Sequence, residues 1–299
     1  MFISQWTKRR LSVINKSDKP QHNPPERNID NKAEDKKEAD KPDVIGFKDG
    51  GPKYVSAPTG QATAFDGRLF FDAGRHADFR YKSTSVDYKE RFAISAWIYP
   101  ESEQGGAIVT KMQDKSEERD NNLPRIGGWG LFFNNGKVHF NMVREWNYDG
   151  FRAETETTLP LKMWHHVLLV FDGLGQADDR VRIYVNGQPQ QLKINQRNFY
   201  LYWGLPEVPL RIGGGGGAEM RFKGALDELR IYTRLPELDE IEILACADPL
   251  ERIATIPAQK RTPGQKLKLL HAFLEWGAPD DARELWKKTR RTEGEKERT

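Results

Sequence analysis

The segment RFAISAWIYP, residues 91 to 100, decides the fold. In a strand, successive side chains point to opposite faces. That places Phe92, Ile94, Ala96 and Ile98 on one side and Ala93, Ser95, Trp97 and Tyr99 on the other. Both sides are largely apolar, the pattern of a strand buried within a sandwich rather than one half open to water.

Neighbouring segments repeat the pattern. GWGLFFNNGKVHFNMV (128–143) reads as a hairpin turning at Asn134-Asn135-Gly136, and WHHVLLVFDG (164–173) as a second buried strand. RVRIYVNGQPQQL (180–192) reads as another hairpin, with Asn186-Gly187 supplying the positive-φ turn. PLRIGG (209–214) and GALDELRIYTR (224–234) add two more strands. No long helical period interrupts residues 53–245, so this region is expected to be an all-β sandwich or jelly roll.

The flanks differ. Residues 1–52 include NKSDKPQHNPPERNIDNKAEDKKEADKP, rich in Lys, Asp, Glu, Pro and Asn and nearly free of large apolar side chains. Such a segment buries too little surface to offset its ordering entropy, so a disordered leader or linker is expected. Its first residues are basic but lack a continuous apolar run, and no signal peptide is read there. Residues 246–299 change to a helical period. In TPGQKLKLLHAFLEWG (262–277), Thr262 is placed as N-cap, Pro263 at the first helical position and Leu267, Leu270 and Leu274 on one face, with Gly277 as the stop. PDDARELWKKTRR (279–291), with acids early and bases late, suits a second helix. This end is expected to be a short helical extension.

Composition narrows the function. Across 299 residues the net charge is only +3, which gives no case for nucleic acid. A single cysteine, Cys246, excludes an internal disulfide framework, a multi-cysteine metal cluster and a Cys-x-x-Cys-His haem site. No apolar run reaches the roughly 18 residues of a membrane span.

The segments ATAFDGRLFFDAG (62–74), FAISAWIYP (92–100), WHHVLLVFDG, VRIYVNG (181–187) and FKGALDELRIYTRLPELDEIEILA (222–245) resemble, in order and spacing, the LamG-like jelly roll of the concanavalin A-like lectin/glucanase superfamily. Further stretches extend the resemblance: GGAIVTKM (105–112), VREWNYDGFRAETETTLPLKMWHHV (143–167) and the tail from Ile253 to Trp286. These are similar to the LamG-like insert of large multidomain bacterial proteins of planctomycete type, which carry an N-terminal cytochrome c-like domain and domains of unknown function. That resemblance implies an exported or cell-envelope setting and flanking domains as partners. This chain carries neither the haem motif nor the flanking domains.

Five features are candidates for chemistry. In LPELDEIEIL (235–244), Glu237, Asp239 and Glu242 spell out a pattern like the carboxylate string of bacterial β-glucanases. A retaining glycosidase needs two carboxyl groups about 5 Å apart, on one strand face. Here Leu235, Leu238, Ile241 and Leu244 or Ala245 recur at helical spacing, and Glu237, Asp239 and Glu240 fall in a first turn, so a helix start is expected and catalysis is not. Asp66 and Asp227 match, in kind, the positions where LamG-like jelly rolls hold calcium, an ion that takes six to eight oxygens at about 2.4 Å. The plainer reading has Asp66 capping a turn and Asp227 paired with a base such as Arg230. His165 and His166, adjacent on a strand, point to opposite faces and cannot share an ion; one is expected inside and the other at the surface. IGGGGGAEM (212–220) leads into a strand rather than a helix and reads as an inter-strand turn, not a phosphate loop. Finally, Arg144, Trp146, Tyr148, Asp149 and Arg152, with Tyr200, Tyr202 and Trp203, combine aromatic faces and charged hydrogen-bonders of the kind that hold sugar rings. The expected function is therefore a non-catalytic, carbohydrate-binding LamG-like module with polysaccharide or glycan as partner. A structural module docking flanking domains is the alternative, and a glycoside hydrolase a third reading.

Overall fold

In a computed structural model, residues 45–74, 91–113, 118–119, 123–124, 127–145, 149–173, 177–197, 208–215 and 220–296 are described. Residues 1–44, most of the expected leader, lie outside them.

Two antiparallel sheets form a sandwich. One has eight strands, in spatial order Gly46–Lys48 (β1), Phe70–Asp72 (β4), Arg211–Ile212 (β16), Gly106–Met112 (β6), Gly128–Asn134 (β9), Lys137–Glu145 (β10), Asp149–Thr155 (β11) and Leu192–Gln196 (β15). The other has seven: Gln188–Pro189 (β14), Val181–Val185 (β13), His165–Asp172 (β12), Arg91–Pro100 (β5), Lys223–Tyr232 (β17), Gly60–Asp66 (β3) and Lys53–Ala57 (β2). A two-stranded ribbon joins Glu118–Arg119 (β7) to Leu123–Pro124 (β8). The first strand thus begins inside the expected leader. Its one large apolar residue, Phe47, packs edge-on against Phe71 at 5.0 Å, too slight a signal to stand out in a polar stretch.

The core fills the space between the sheets, and β5 supplies its middle: Phe92, Ile94, Ala96 and Ile98 are fully buried. Phe92 stacks on Phe171 at 5.0 Å and lies 6.1 Å from the buried Trp129. Emptying such an aromatic site costs about 3–5 kcal/mol. The two expected hairpins are present. Asn186 and Gly187 have φ of 50° and 80°, the paired positive values that a two-residue turn needs to match strand twist; Asn135 and Gly136 do the same. The glycine run after β16 leads towards another strand, as expected, but at Gly215 it is packed rather than loose. A side chain there would strike the Thr110 hydroxyl, which donates to the Gly214 carbonyl at 2.8 Å.

The second face of β5 explains why it too is apolar. Ala93, with Leu168 and Val170 of β12, packs against Ile241 of a helix. That helix, Leu238–Leu244 (α1), is the first of four among the described residues, followed by Leu250–Thr255 (α2), Pro263–Ala272 (α3) and Asp280–Lys296 (α4). A π turn, Phe273–Gly277, links α3 towards α4. Glu237 caps α1 through a capping box with Glu240, and Thr262 caps α3 through one with Gln265. Glu237, Asp239 and Glu240 are therefore helix-start groups, as the spacing implied, and Glu242 lies in the turn that follows. Leu238 departs from expectation: it is 83% exposed, because side chains lean towards a helix's N-terminus and the first residue overhangs the surface its helix covers. Leu270, expected on the packed face of α3, is half exposed.

Candidate functional site

The helices do not seal the outer face of the seven-stranded sheet. Between them lies a cleft of about 1160 Å³. Its floor comes from β5, β12 and β17. Cross-strand register aligns His166 with Trp97 and Trp97 with Asp227; one step on, Leu168 faces Ser95 and Ser95 faces Arg230. β17 uses three residue steps from Asp227 to Arg230 where β5 uses two from Trp97 to Ser95. The extra residue is taken up at Glu228, whose φ of 50° is left-handed. Such bulges re-aim side chains and recur beside functional sites.

The floor is polar and tightly held. Ser95 Oγ and His166 Nε2 lie 2.9 Å apart. The imidazole stands 5.4 Å from the Trp97 ring, and its Nδ1 has no hydrogen-bond partner among the described residues. Burial, and then the Arg230 charge, push His166 down to about 3, so the ring is neutral across the physiological range. A serine against a neutral histidine supplies two parts of a hydrolytic triad; the carboxylate that would orient the ring is missing among the described residues. Arg230 donates to Glu228 in an ion pair. Asp227 accepts from the Thr59 hydroxyl. Burial raises the carboxyls of Asp227 and Glu228, while Arg230 pulls both the other way.

The helical side closes the cleft. Lys268 of α3 donates to the carbonyls of Cys246 and Asp248 at 2.9 and 2.8 Å. His271 bonds to Asp239 of α1 and meets the edge of Trp286 of α4 at 4.9 Å. Trp276, on the π turn, lines the cleft and is 67% exposed at its mouth. Trp97, Tyr232 and Trp286 also line it. Glu240 holds Arg234 through both oxygens as well as the Glu237 N–H. With Glu240 and Asp239 so engaged, the string read at 235–244 works as structure.

Asp66 and Asp227 are not brought together. β17 pairs with β3 so that Lys223 faces Asp66, four residues before Asp227. At about 3.3 Å per residue that is about 13 Å, too far to share one ion. Asp66 caps a turn, accepting from Arg68 N and Leu69 N at 2.9 Å each, and these bonds hold its carboxyl down at about 2. Asp227 takes Thr59 rather than Arg230 as its partner, because the bulge gives Arg230 to Glu228. Among the described residues no group of three or more acids, histidines or cysteines could hold a metal.

The two histidines do take opposite faces, yet both are buried. His165 Nε2 lies 2.9 Å from the Pro160 carbonyl, and His166 is packed into the cleft floor against Ser95 and Trp97. Of the aromatic cluster, Trp146, Tyr148, Tyr200, Tyr202 and Trp203 lie outside the described residues. Arg144 and Asp149 lie near the facing ends of β10 and β11, and Arg152 stands on β11 opposite Asn141 and Gln196. The cleft has no contiguous signature in the sequence. The usable signal was Ser95, Trp97, His166 and Arg230, polar or amphipathic residues on the outer faces of strands otherwise apolar.

A family model described as the concanavalin A-like lectin/glucanases superfamily matches residues 72–242, more than half of the chain. The chain belongs to this superfamily. Solved structures that it is similar to include the binding domain of Paraclostridial Mosquitocidal Protein 1 (TM-score 0.44, 16% identity, covering 67% of this chain and 47% of that one). Another is domain 4 of the GH43 extracellular arabinanase AbnA from Geobacillus stearothermophilus, in complex with arabinotriose (0.41, 18%, 67% and 83%). A third is the CBM40 of the Ruminococcus gnavus IT-sialidase bound to α2,3 sialyllactose (0.41, 14%, 65% and 95%). The chain thus spans about half the length of the first of these. No curated protein matches it.

Proposed function

We propose that the protein is a non-catalytic binding module whose ligand, a carbohydrate, occupies the cleft between the seven-stranded sheet and the helical extension. The observation that carries this reading is the cleft itself: about 1160 Å³, with Trp97, Trp276 and Trp286 beside Glu228, Arg230 and Arg234. Aromatic faces stack on the C–H faces of sugar rings while charged groups bond the hydroxyls, and the cleft exceeds the roughly 300–1,000 Å³ of a small-molecule pocket, room for more than one sugar ring. Affinity electrophoresis through gels of plant, algal and bacterial polysaccharides tests it. The wild type should be retarded by at least one of them, and Trp276→Ala should weaken that binding about 3- to 10-fold with no change in Tm, since the residue is exposed. Equal mobility in every gel would contradict the reading.

A second reading, a module that docks flanking domains of a larger exported protein, is favoured by Leu238, Phe273 and Leu285, all more than half exposed on the helical extension. The planctomycete-type resemblance belongs with it. Co-expression with the cytochrome c-like and adjoining domains of such a protein should yield a stable complex; separate elution on size exclusion would count against it.

A further inference from the structure

Glu228 is held in an unusual way. It is a non-glycine residue with φ of 50° in the middle of β17, a strand paired on both sides. The bulge shifts the strand's phase by one, so that Leu226 and Leu229, three residues apart, both reach the core while Glu228 turns outward. Its effect is to bring the Glu228 carboxylate onto the cleft floor beside Arg230, with only 13% and 19% of the two side chains exposed. One carboxylate oxygen accepts from Arg230; the other has no hydrogen-bond partner among the described residues. A buried ion pair on a strained backbone is a poor device for stability alone.

Resting on the carbohydrate reading, we infer that Glu228 and Arg230 form a diol-reading pair, the open Glu228 oxygen accepting from one ring hydroxyl while the Arg230 guanidinium donates to its neighbour. Charge-assisted bonds of this kind fix both spacing and orientation. The ligand class is then a neutral sugar with adjacent free hydroxyls. A uronic acid is disfavoured, because at this subsite its carboxylate would approach the Glu228 carboxylate, whose side chain is mostly buried and whose charge Arg230 already shares.

Calorimetric titration of the full chain with neutral arabino- and cello-oligosaccharides and with oligogalacturonate tests the inference. The wild type should bind a neutral series and favour it over oligogalacturonate. Glu228→Gln should weaken neutral binding at least 10-fold and narrow or reverse that preference. Glu228→Asp, which keeps the charge but withdraws it by one methylene, should also weaken neutral binding and still reject oligogalacturonate. Tm and circular dichroism confirm that each variant is folded, and a variant that is not folded leaves the other to decide. Unchanged affinity and preference in a folded variant would overturn the diol pair and leave the carbohydrate reading standing. A wild type that prefers oligogalacturonate would overturn the pair in the same way. A wild type that binds no saccharide would overturn both.

Discussion

His165 and His166 are neighbours in sequence, and the pleat of β12 sends them to opposite faces with different consequences. His166, buried in the cleft floor against Ser95, resists protonation until about pH 3, whereas the unfolded ring takes its proton near 6.5. Between those values the unfolded chain binds more protons, so His166 makes stability fall as pH is lowered through that window. A shift of this size is worth on the order of 5 kcal/mol when fully developed. Thermal melts from pH 7 down to pH 4 should show Tm falling for the wild type and a flatter slope for His166→Gln; parallel slopes would mean that the ring is not held neutral. Asp66 and Asp227 carry a second prediction. Standing about 13 Å apart along their strands, they offer no shared cation site, so dialysis against a chelator should leave Tm where it was. A chelator-induced drop would reveal an ion held some other way. The turn capped by Asp66 was legible in its sequence. Asp227's partner was not, because one extra residue in β17 redirects Arg230 from Asp227 to Glu228, and the break in alternation between Leu226 and Leu229 does not say which side chains it re-aims.

At the scale of elements, the strands and helix starts could be read directly. Asn186-Gly187 and Thr262-Pro263 are local signals whose physics needs no tertiary context, and the hairpin and the α3 cap lie where they point. What an apolar helix face cannot say is which surface it will cover. Ile241 buries itself on Ala93, Leu168 and Val170, so the second apolar face of RFAISAWIYP answers to α1 and not to another sheet. Ile241→Ala should therefore destabilise the protein by about 2–4 kcal/mol, loosening the helical extension from the sheet. Thr262→Ala should cost about 1 kcal/mol through its capping box. Urea melts would check both; a value near zero for Ile241→Ala would mean that the extension is not part of the cooperative fold.

For the whole molecule, the superfamily was legible because a jelly roll spends most of its sequence on buried strands, and their order and spacing survive in one chain. The site was less so. Sugar-binding character was sought in an aromatic cluster, Trp146, Tyr148, Tyr202 and Trp203, whose residues are near one another in sequence or in kind. Those aromatics lie outside the described residues, and the proposed cleft gathers Trp97, His166, Glu228, Arg230 and Trp276 from three strands and a helix turn. Only the folded arrangement of sheet and tail makes them neighbours. The measurement that tests this most directly is a crystal structure of the protein soaked with whichever oligosaccharide it retains best in the affinity gels. The account predicts sugar density in the cleft, stacked on Trp276 and within hydrogen-bond reach of Glu228 and Arg230. Density on the eight-stranded sheet near Arg152, with the cleft empty, would contradict it.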